Sequence, residues 1–306
     1  MVGLIQSRGA RSTAVQDRIR QTVALLGRRG YAVSAERLAA LCIGGAISPR
    51  EVQWTVAASP DLVIADDLVL DRAELDRAGV IRSRAQGHRA DAGAYLDMTA
   101  RFVRALVAVA PFIRSVSIAG SLASGGFRAS DDVDLNLIVD DGHRHLAYVA
   151  VNVLGLAHAL AHRAKPVDDL TRRPLAPRLM TANLILERSQ CLPLERQDED
   201  MAFELLMAEP LFGIDPFLEL IDANPVLLDH FPQLADKPAH LLIHPPAHRL
   251  PAALFPRFLD RAARILGESG WRYMQWTRRH HPDALERVRY VRSTMRPYTL
   301  FDRAAR

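Results

Sequence analysis

Two aspartates one residue apart, Asp132 and Asp134, follow a glycine–serine pair, Gly120 and Ser121; these are the side chains whose types and spacing could do chemistry. Residues 132–139 read as a strand, on which side chains alternate between faces. Asp132, Asp134 and Asn136 then point one way, and Val133, Leu135, Leu137 and Val139 the other. Carboxylates about 7 Å apart along one strand face repel each other unless a cation lies between them. Magnesium suits that place, because it takes one or two protein carboxylates and fills its octahedron with water and phosphate oxygens. A nucleoside triphosphate would bring those oxygens. Gly120 permits a tight turn and a close backbone approach, and Ser121 offers a hydroxyl and an amide hydrogen to a phosphate. The plainer reading of the same residues is a hairpin edge with solvated aspartates.

The elements that must hold these residues lie on both sides. Val116 and Ile118 open a short apolar strand that breaks at Gly120. Before it, residues 94–109 repeat Tyr95, Met98, Phe102, Leu106 and Val109 at three- and four-residue steps, the spacing of an amphipathic helix, and Pro111 stops it. After the aspartate strand, Gly142 turns the chain into the apolar run 146–161. That run falls short of the roughly 20 apolar residues a membrane span needs, so a buried helix on the sheet is expected, and no membrane partner. A loop rich in proline and charge, 165–177, leads to a third strand at 179–187.

A strand, Gly120-Ser121, a helix-length gap and then Ser130-Asp131-Asp132-Val133-Asp134-Leu135 opening an apolar strand form a joint pattern. It resembles the nucleotidyltransferase superfamily with the DNA polymerase β-type palm. The resemblance implies an α+β fold, a mixed sheet with helices, and a helix leading into the Gly-Ser strand. It implies transfer of a nucleoside monophosphate from an NTP such as ATP to an acceptor, releasing pyrophosphate. Asp132 and Asp134 would hold one or two Mg2+ ions, and Gly120, Ser121 and Ser130 would bind the nucleotide. Arg128 or Lys165 would add positive charge. The superfamily commonly carries a third carboxylate on the strand at 179–187, where this chain has Asn183 as its candidate catalytic residue. An amide oxygen can coordinate a cation, but it is uncharged and cannot accept the nucleophile's proton as a carboxylate does. Glu187 shares strand parity with Asn183 yet lies about 13 Å further on. Asp198, Glu199, Asp200 and Glu204 are acids that only a fold-back would deliver.

Towards the N-terminus, residues 14–28 have helical spacing, with Val15, Ile19, Val23, Leu25 and Leu26 as the apolar stripe. Ser34 caps a second helix through Leu41, and Ser48-Pro49-Arg50-Glu51 joins a capping box to a proline at the first position of a third helix. Two apolar runs, 62–64 and 68–70, flank Ala65-Asp66-Asp67 as a hairpin. This order resembles a winged-helix module, so DNA contact must be weighed. Residues 1–50 carry eight arginines against Asp17 and Glu36, net +6, while residues 51–80 carry seven acids against Arg72 and Arg77, net −5. Asp66-Asp67 at the wing tip would meet phosphates with the wrong sign. The third helix offers Arg50, Gln53 and Thr55 without a basic run, so packing or docking of a protein partner is favoured over DNA. Residues 73–87 read as a connecting helix with a bend near Gly79.

Residues 200–213 read as a helix stopped by Pro210, followed by another helix and Ala223-Asn224. The order resembles a little-described bacterial and archaeal group that joins a winged helix to a nucleotidyltransferase domain, with an Asn-containing strand before this helix; the resemblance covers residues 15–233. Three segments are expected: a winged-helix domain and connector at 1–85, a nucleotidyltransferase domain at 86–233, and a helical, arginine-rich region at 234–306. His240, His244 and His248 lack zinc spacing and read as solvated loop residues. A closing helix runs from 256 through 279. Residues 271–306 hold nine arginines against Asp283, Glu286 and Asp302, net +6, interleaved with Trp271, Tyr273, Trp276 and Tyr290. That composition suits a polyanion, an RNA end or an acidic partner; a solvated arginine face with a frayed tail is the plainer reading.

Composition bounds the rest. Charged residues make up 24% and hydrophobic ones 49%, with a formal charge of +4 carried almost wholly by arginine, which is ordinary for a globular chain. Cys42 and Cys191 are far apart and fit free thiols in a reducing compartment. The first twenty residues lack the apolar core of a signal peptide, so a cytoplasmic protein is expected. The acceptor stays open between small molecule, protein hydroxyl and RNA. The competing reading is a non-catalytic nucleotide-binding regulator whose winged helix contacts DNA or a protein.

Overall fold

Ile19, Val23, Leu25 and Leu26 are buried along one side of helix α1 (Val2–Arg28), which begins well before residue 14, where the apolar spacing starts. In this computed structural model, residues 2–162, 165–166, 179–237, 242–279 and 282–301 are described. Ser34 accepts a hydrogen bond from the Arg37 N–H and caps α2 (Ala35–Ala40). Ser48 and Glu51 exchange the two capping-box bonds, at 3.2 and 2.8 Å, at the start of α3 (Pro49–Ala58). Strands β1 (Leu62–Ala65) and β2 (Leu68–Asp71) pair antiparallel about Asp66 and Asp67, whose φ angles of 53° and 64° are those a tight two-residue hairpin turn requires. Asp66 is ion-paired with Arg82. Thr55 is buried, so of the polar trio on α3 only Arg50 and Gln53 face solvent. Arg18 is likewise structural: its guanidinium donates to the Ile43 carbonyl at 2.6 Å and to that of Gly45.

A 3-10 turn (Arg72–Arg77) leads into α4 (Ala78–Val109). Two helices with a bend near Gly79 were expected here. A single 32-residue helix is found, and the change of helix type falls just before Ala78. Gly79, Gly87 and Gly93 sit within it with nothing near the place a Cβ would occupy, so they weaken it by propensity without breaking it.

Next come β3 (Ile113–Ala119), α5 (Gly120–Ser124), β4 (Val133–Val139), α6 (Arg144–Ala161) and β5 (Met180–Glu187). They are followed by α7 (Arg188–Cys191), α8 (Glu199–Met207), β6 (Glu209–Phe212), α9 (Ile214–Asp222) and α10 (Val226–His230). The chain closes with α11 (Leu259–Arg278) and α12 (Pro282–Thr294). The result is α+β, with a mixed sheet in the order β5-β4-β3-β6. Strands β4 and β5 are parallel, and α6 is the crossover that a parallel pair needs; β3 runs antiparallel to both β4 and β6.

The chain forms two compact units: Met1–Gly87 with Asp198–Leu206 and Pro225–Lys237, and His88–Gln197 with Met207–Asn224 and Pro238–Arg306. The core of the second joins Val116 and Ile118 of β3, the alternate residues Val133, Leu135, Leu137 and Val139 of β4, Phe102 and Leu106 of α4, and Val151 of α6. In the first, Phe203 and Phe231 pack together with their ring centroids 5.9 Å apart.

Several expectations need correcting. Pro210 lies in β6, an edge strand, where the missing N–H costs no ladder bond. Helix α6 is apolar around most of its circumference but buries only one face, leaving Val153, Leu156 and Leu160 exposed; Val109 is exposed too. Residues 282–294, part of the stretch read as a frayed tail, form α12; residues 302–306 lie outside the described residues. Residues 167–177 of the expected loop, and His240, lie outside the described residues. Among the described residues, no helix is long and apolar enough to cross a membrane.

Candidate active site

Strand β3 delivers Ala119 opposite Asp134 of β4, and the chain then turns at Gly120 with φ +62°. A Cβ at Gly120 would lie 2.1 Å from Asp134 Oδ2 and 2.9 Å from its Cγ. Glycine is therefore required twice over, for its backbone angle and for the carboxylate pressed against it. One helical turn, α5, follows and ends at Gly125 in the left-handed conformation. The N–H groups of Gly125 and Gly126 both donate to the Ser121 carbonyl, at 3.1 and 3.0 Å. The Ser121 hydroxyl donates to Asp131 Oδ2 at 3.3 Å, and the Arg128 N–H donates to the same oxygen at 3.1 Å. Asp131, which sequence reasoning passes over, thus ties the glycine-serine turn to the loop that returns to β4. Ser130 is half-buried in that loop, and the Arg128 side chain is exposed.

The loop is seated on α4 from below. Phe127 is fully buried, with its ring centroid 4.6 Å from that of Tyr95. The Tyr95 hydroxyl donates to the Ala129 carbonyl at 2.9 Å, and the Phe127 N–H donates to His88 Nδ1 at 3.4 Å. Burial lowers the His88 pKa, in keeping with a neutral ring whose Nδ1 accepts. Burial first, and then the charges of Asp91 and Asp131, raise that of Tyr95. Lys165 lies 5.9 Å from the Tyr95 ring centroid, near this loop. The only signal for Tyr95 in the sequence is its core-facing position on α4.

Asp132 stands one residue ahead of β4 and accepts a hydrogen bond from the Thr181 hydroxyl. Asp134 lies in register between Ala119 on β3 and Thr181 on β5. Thr181 is thus the β5 residue beside the pair. Asn136 is buried, and its Oδ1 accepts from Asn183 Nδ2 at 3.0 Å. The β4–β5 register slips here: Leu135 faces Ala182 and Asn136 faces Leu184. Asn183 is therefore the extra residue of a bulge, a feature no alternation count reveals.

The other acids are committed elsewhere. Glu187 accepts the Gly142 N–H at 3.0 Å and takes part in the capping box of α7. Within the first compact unit, Arg29 meets Asp200 at 2.9 Å and Glu204 at 3.5 Å, Arg28 meets Glu199 at 3.3 Å, and Asp198 accepts the Met201 N–H at 3.0 Å. The fold-back leads Glu199, Asp200 and Glu204 to arginines of α1.

Among the described residues, no group of three or more His, Cys, Asp or Glu side chains is placed to hold a metal. The two carboxylates are hard oxygen donors that could hold magnesium, with water and phosphate oxygens completing its shell. A cavity of about 510 Å³ lined by Asp140, Asp141, His143, Arg188, Ser189, Leu192 and Arg257 lies at the other end of β4, away from the pair. Compared with known proteins, the chain matches no family model, no curated protein and no solved structure.

Proposed function

We propose that this protein is a magnesium-dependent nucleotidyltransferase that moves a nucleoside monophosphate from an NTP to a hydroxyl acceptor. The observation that carries the reading is the fit of the Gly120 turn against Asp134, with Asp132 two residues before it and bonded to Thr181 of the neighbouring strand. It is a backbone cradle beside a carboxylate pair, as a triphosphate and its cation require. Asp132 and Asp134 hold the cation, with Thr181 fixing Asp132. Ser121 and the amides at the start of α5 meet the phosphates, and Asp131 keeps that turn in place. Magnesium, when bound, offsets the charge that develops during in-line displacement. The acceptor oxygen bonds to the α-phosphorus, the bond to the bridging oxygen breaks, pyrophosphate departs and the hydroxyl proton leaves to solvent.

A second reading, nucleotide binding without transfer, draws on Asn183. Its amide is bonded to Asn136 in a bulge where a carboxylate base would otherwise stand. Labelled-nucleotide transfer separates the two readings. The test of the shared site is calorimetry with each of the four NTPs, with and without Mg2+, on wild type and Asp132→Ala/Asp134→Ala. Magnesium-dependent binding should disappear in the double variant while its circular dichroism is unchanged. Equal binding by both proteins would sink the assignment.

A further inference from the structure

Helix α11 is held to the fold along one side. Asp260, in its first turn, accepts the His145 and Leu146 N–H groups at the start of α6, each at 2.8 Å, and faces His145 Nδ1 at 2.7 Å. Ala263 is buried, Gly267 packs so closely on Tyr148 that a Cβ would lie 3.1 Å from its ring, and Met274 rests against the core. At 3.6 residues a turn these four positions share one side of the helix. The opposite side faces solvent and is apolar. Phe258, at the N-cap, is 70% exposed, Ile265 71%, Leu266 60% and Trp276 56%, and Tyr273 is exposed with them. With Ala262 and Ser269, also exposed, they fill a stripe about 100° wide that runs roughly 27 Å from Phe258 to Trp276. An amphipathic helix normally turns such a stripe inward, so one left outside marks a surface that binds something apolar.

Charge says what covers it. Arg261, Arg264, Arg272 and Arg279 are exposed along one flank of the stripe. Between residues 261 and 279 the one acid is Glu268, which pairs with Arg272 at 2.6 Å. Among the described residues no carboxylate lies within ion-pair reach of Arg261 or Arg264. A second copy in a two-fold contact would present the same patch, and so the same four arginines and single carboxylate, to its twin. A peptide partner needs a groove, whereas the stripe is a ridge on one helix. A flat apolar layer rimmed by phosphates complements both features. The apolar side chains reach the acyl boundary, the arginine stems run up beside them, and the guanidinium groups grip phosphate oxygens.

We infer that α11 is a membrane-surface helix: its outer stripe enters the interface of an anionic phospholipid bilayer, and its arginine flank binds the lipid phosphates. The helix lies in the plane of the bilayer. Among the described residues no helix is long and apolar enough to cross one. A helix that is apolar on one side, arginine-rich beside it and low in overall hydrophobicity is the kind that stays at the interface. The inference does not rest on the nucleotide site.

The test uses the full chain and flotation with vesicles of phosphatidylcholine alone and of phosphatidylcholine mixed with phosphatidylglycerol, at low and at high salt. Wild type should float with the mixed vesicles, less so at high salt, and far less with phosphatidylcholine alone. Ile265→Ser/Leu266→Ser and Arg261→Gln/Arg264→Gln change exposed side chains, so their circular dichroism should match wild type. Each should weaken binding to the mixed vesicles roughly tenfold or more. Wild type that floats with neither vesicle overturns the inference. So does either variant binding as wild type does; if it is the serine variant, the arginines adsorb without the stripe entering. A wild-type dimer in size-exclusion chromatography that Ile265→Ser/Leu266→Ser returns to monomer gives the stripe to a second copy and overturns the inference as well.

Discussion

The two ends of strand β4 carry the same residue type in different company. At its finish, Asp140 is gripped by both sides of the Arg114 guanidinium, at 2.8 and 2.6 Å, and Asp141 accepts the Ser189 N–H at 2.9 Å. At its start, Asp132 accepts from the hydroxyl of Thr181, and the Asp134 carboxylate lies against Gly120, where a side chain would collide with it. A bidentate arginine occupies a carboxylate's lone pairs and neutralises its charge, as at Asp140. Aspartates at a strand end become a site through their neighbours. The cavity at the finish is lined by charges of both signs; the candidate chemistry is at the start, where glycine lets backbone and carboxylate approach.

Glycine substitutions press this contrast hardest. Gly120→Ala drives a Cβ to 2.1 Å from Asp134 Oδ2 at a φ of +62°. Calorimetry should then find Mg-NTP binding lost, and denaturant melts a stability loss of about 1–3 kcal/mol. Retained nucleotide affinity would mean that the turn is not the cradle. Asp132→Ala should abolish magnesium-dependent binding and leave the melting temperature within a few degrees of wild type.

Gly142→Ala, at the finish, is the matched control. Its φ is +79°, but the nearest atoms, 3.1 Å from a Cβ, belong to the movable stem of Arg257. A loss of about 1 kcal/mol is expected, with nucleotide binding untouched. Asp260 ties α11 to α6. Burial pushes its carboxyl pKa up, but the bonds from the His145 ring and from the Leu146 and His145 amides outweigh that, and the net shift is downwards. Its stabilising contribution is therefore complete above the ordinary value of 3.8 and is lost as pH falls through the lower folded-state value. Asp260→Asn should flatten the acid limb of a stability-versus-pH curve; an unchanged limb would exclude that role. The smallest effect belongs to Arg114→Ala. Its pair with Asp140 is partly solvated, and no more than about 1 kcal/mol should go.

The alternation of β4 placed Val133, Leu135, Leu137 and Val139 on the core face, where they are found; it did not show that Asn136 and Ile138 on the other face are buried as well. The caps Ser34 and Ser48 were equally legible, since they act within one turn. What sequence spacing could not supply came from partners far along the chain. The β5 bulge at Asn183 is set by pairing with β4, and the commitment of Asp200 and Glu204 to Arg29 links residues 171 and 175 positions apart. Pro210 has the look of a helix stop and becomes a strand residue because its strand falls on an edge. Asp131 and Tyr95 hold the 120–131 loop through hydrogen bonds whose geometry exists only once the loop has closed. Thr181 lies beside the carboxylates by register alone.

The central claim is that Asp132 and Asp134 hold a divalent cation together with a nucleoside triphosphate. Manganese, a spectroscopically visible stand-in for magnesium at oxygen ligands, tests it most directly. Free Mn2+ would be followed by electron paramagnetic resonance as wild type and Asp134→Asn are titrated in with ATP and with each other NTP. The free-ion signal should fall with wild type beyond what the nucleotide alone removes, and Asp134→Asn should not reproduce that fall. An identical signal loss for the two proteins would place the cation elsewhere and contradict the account.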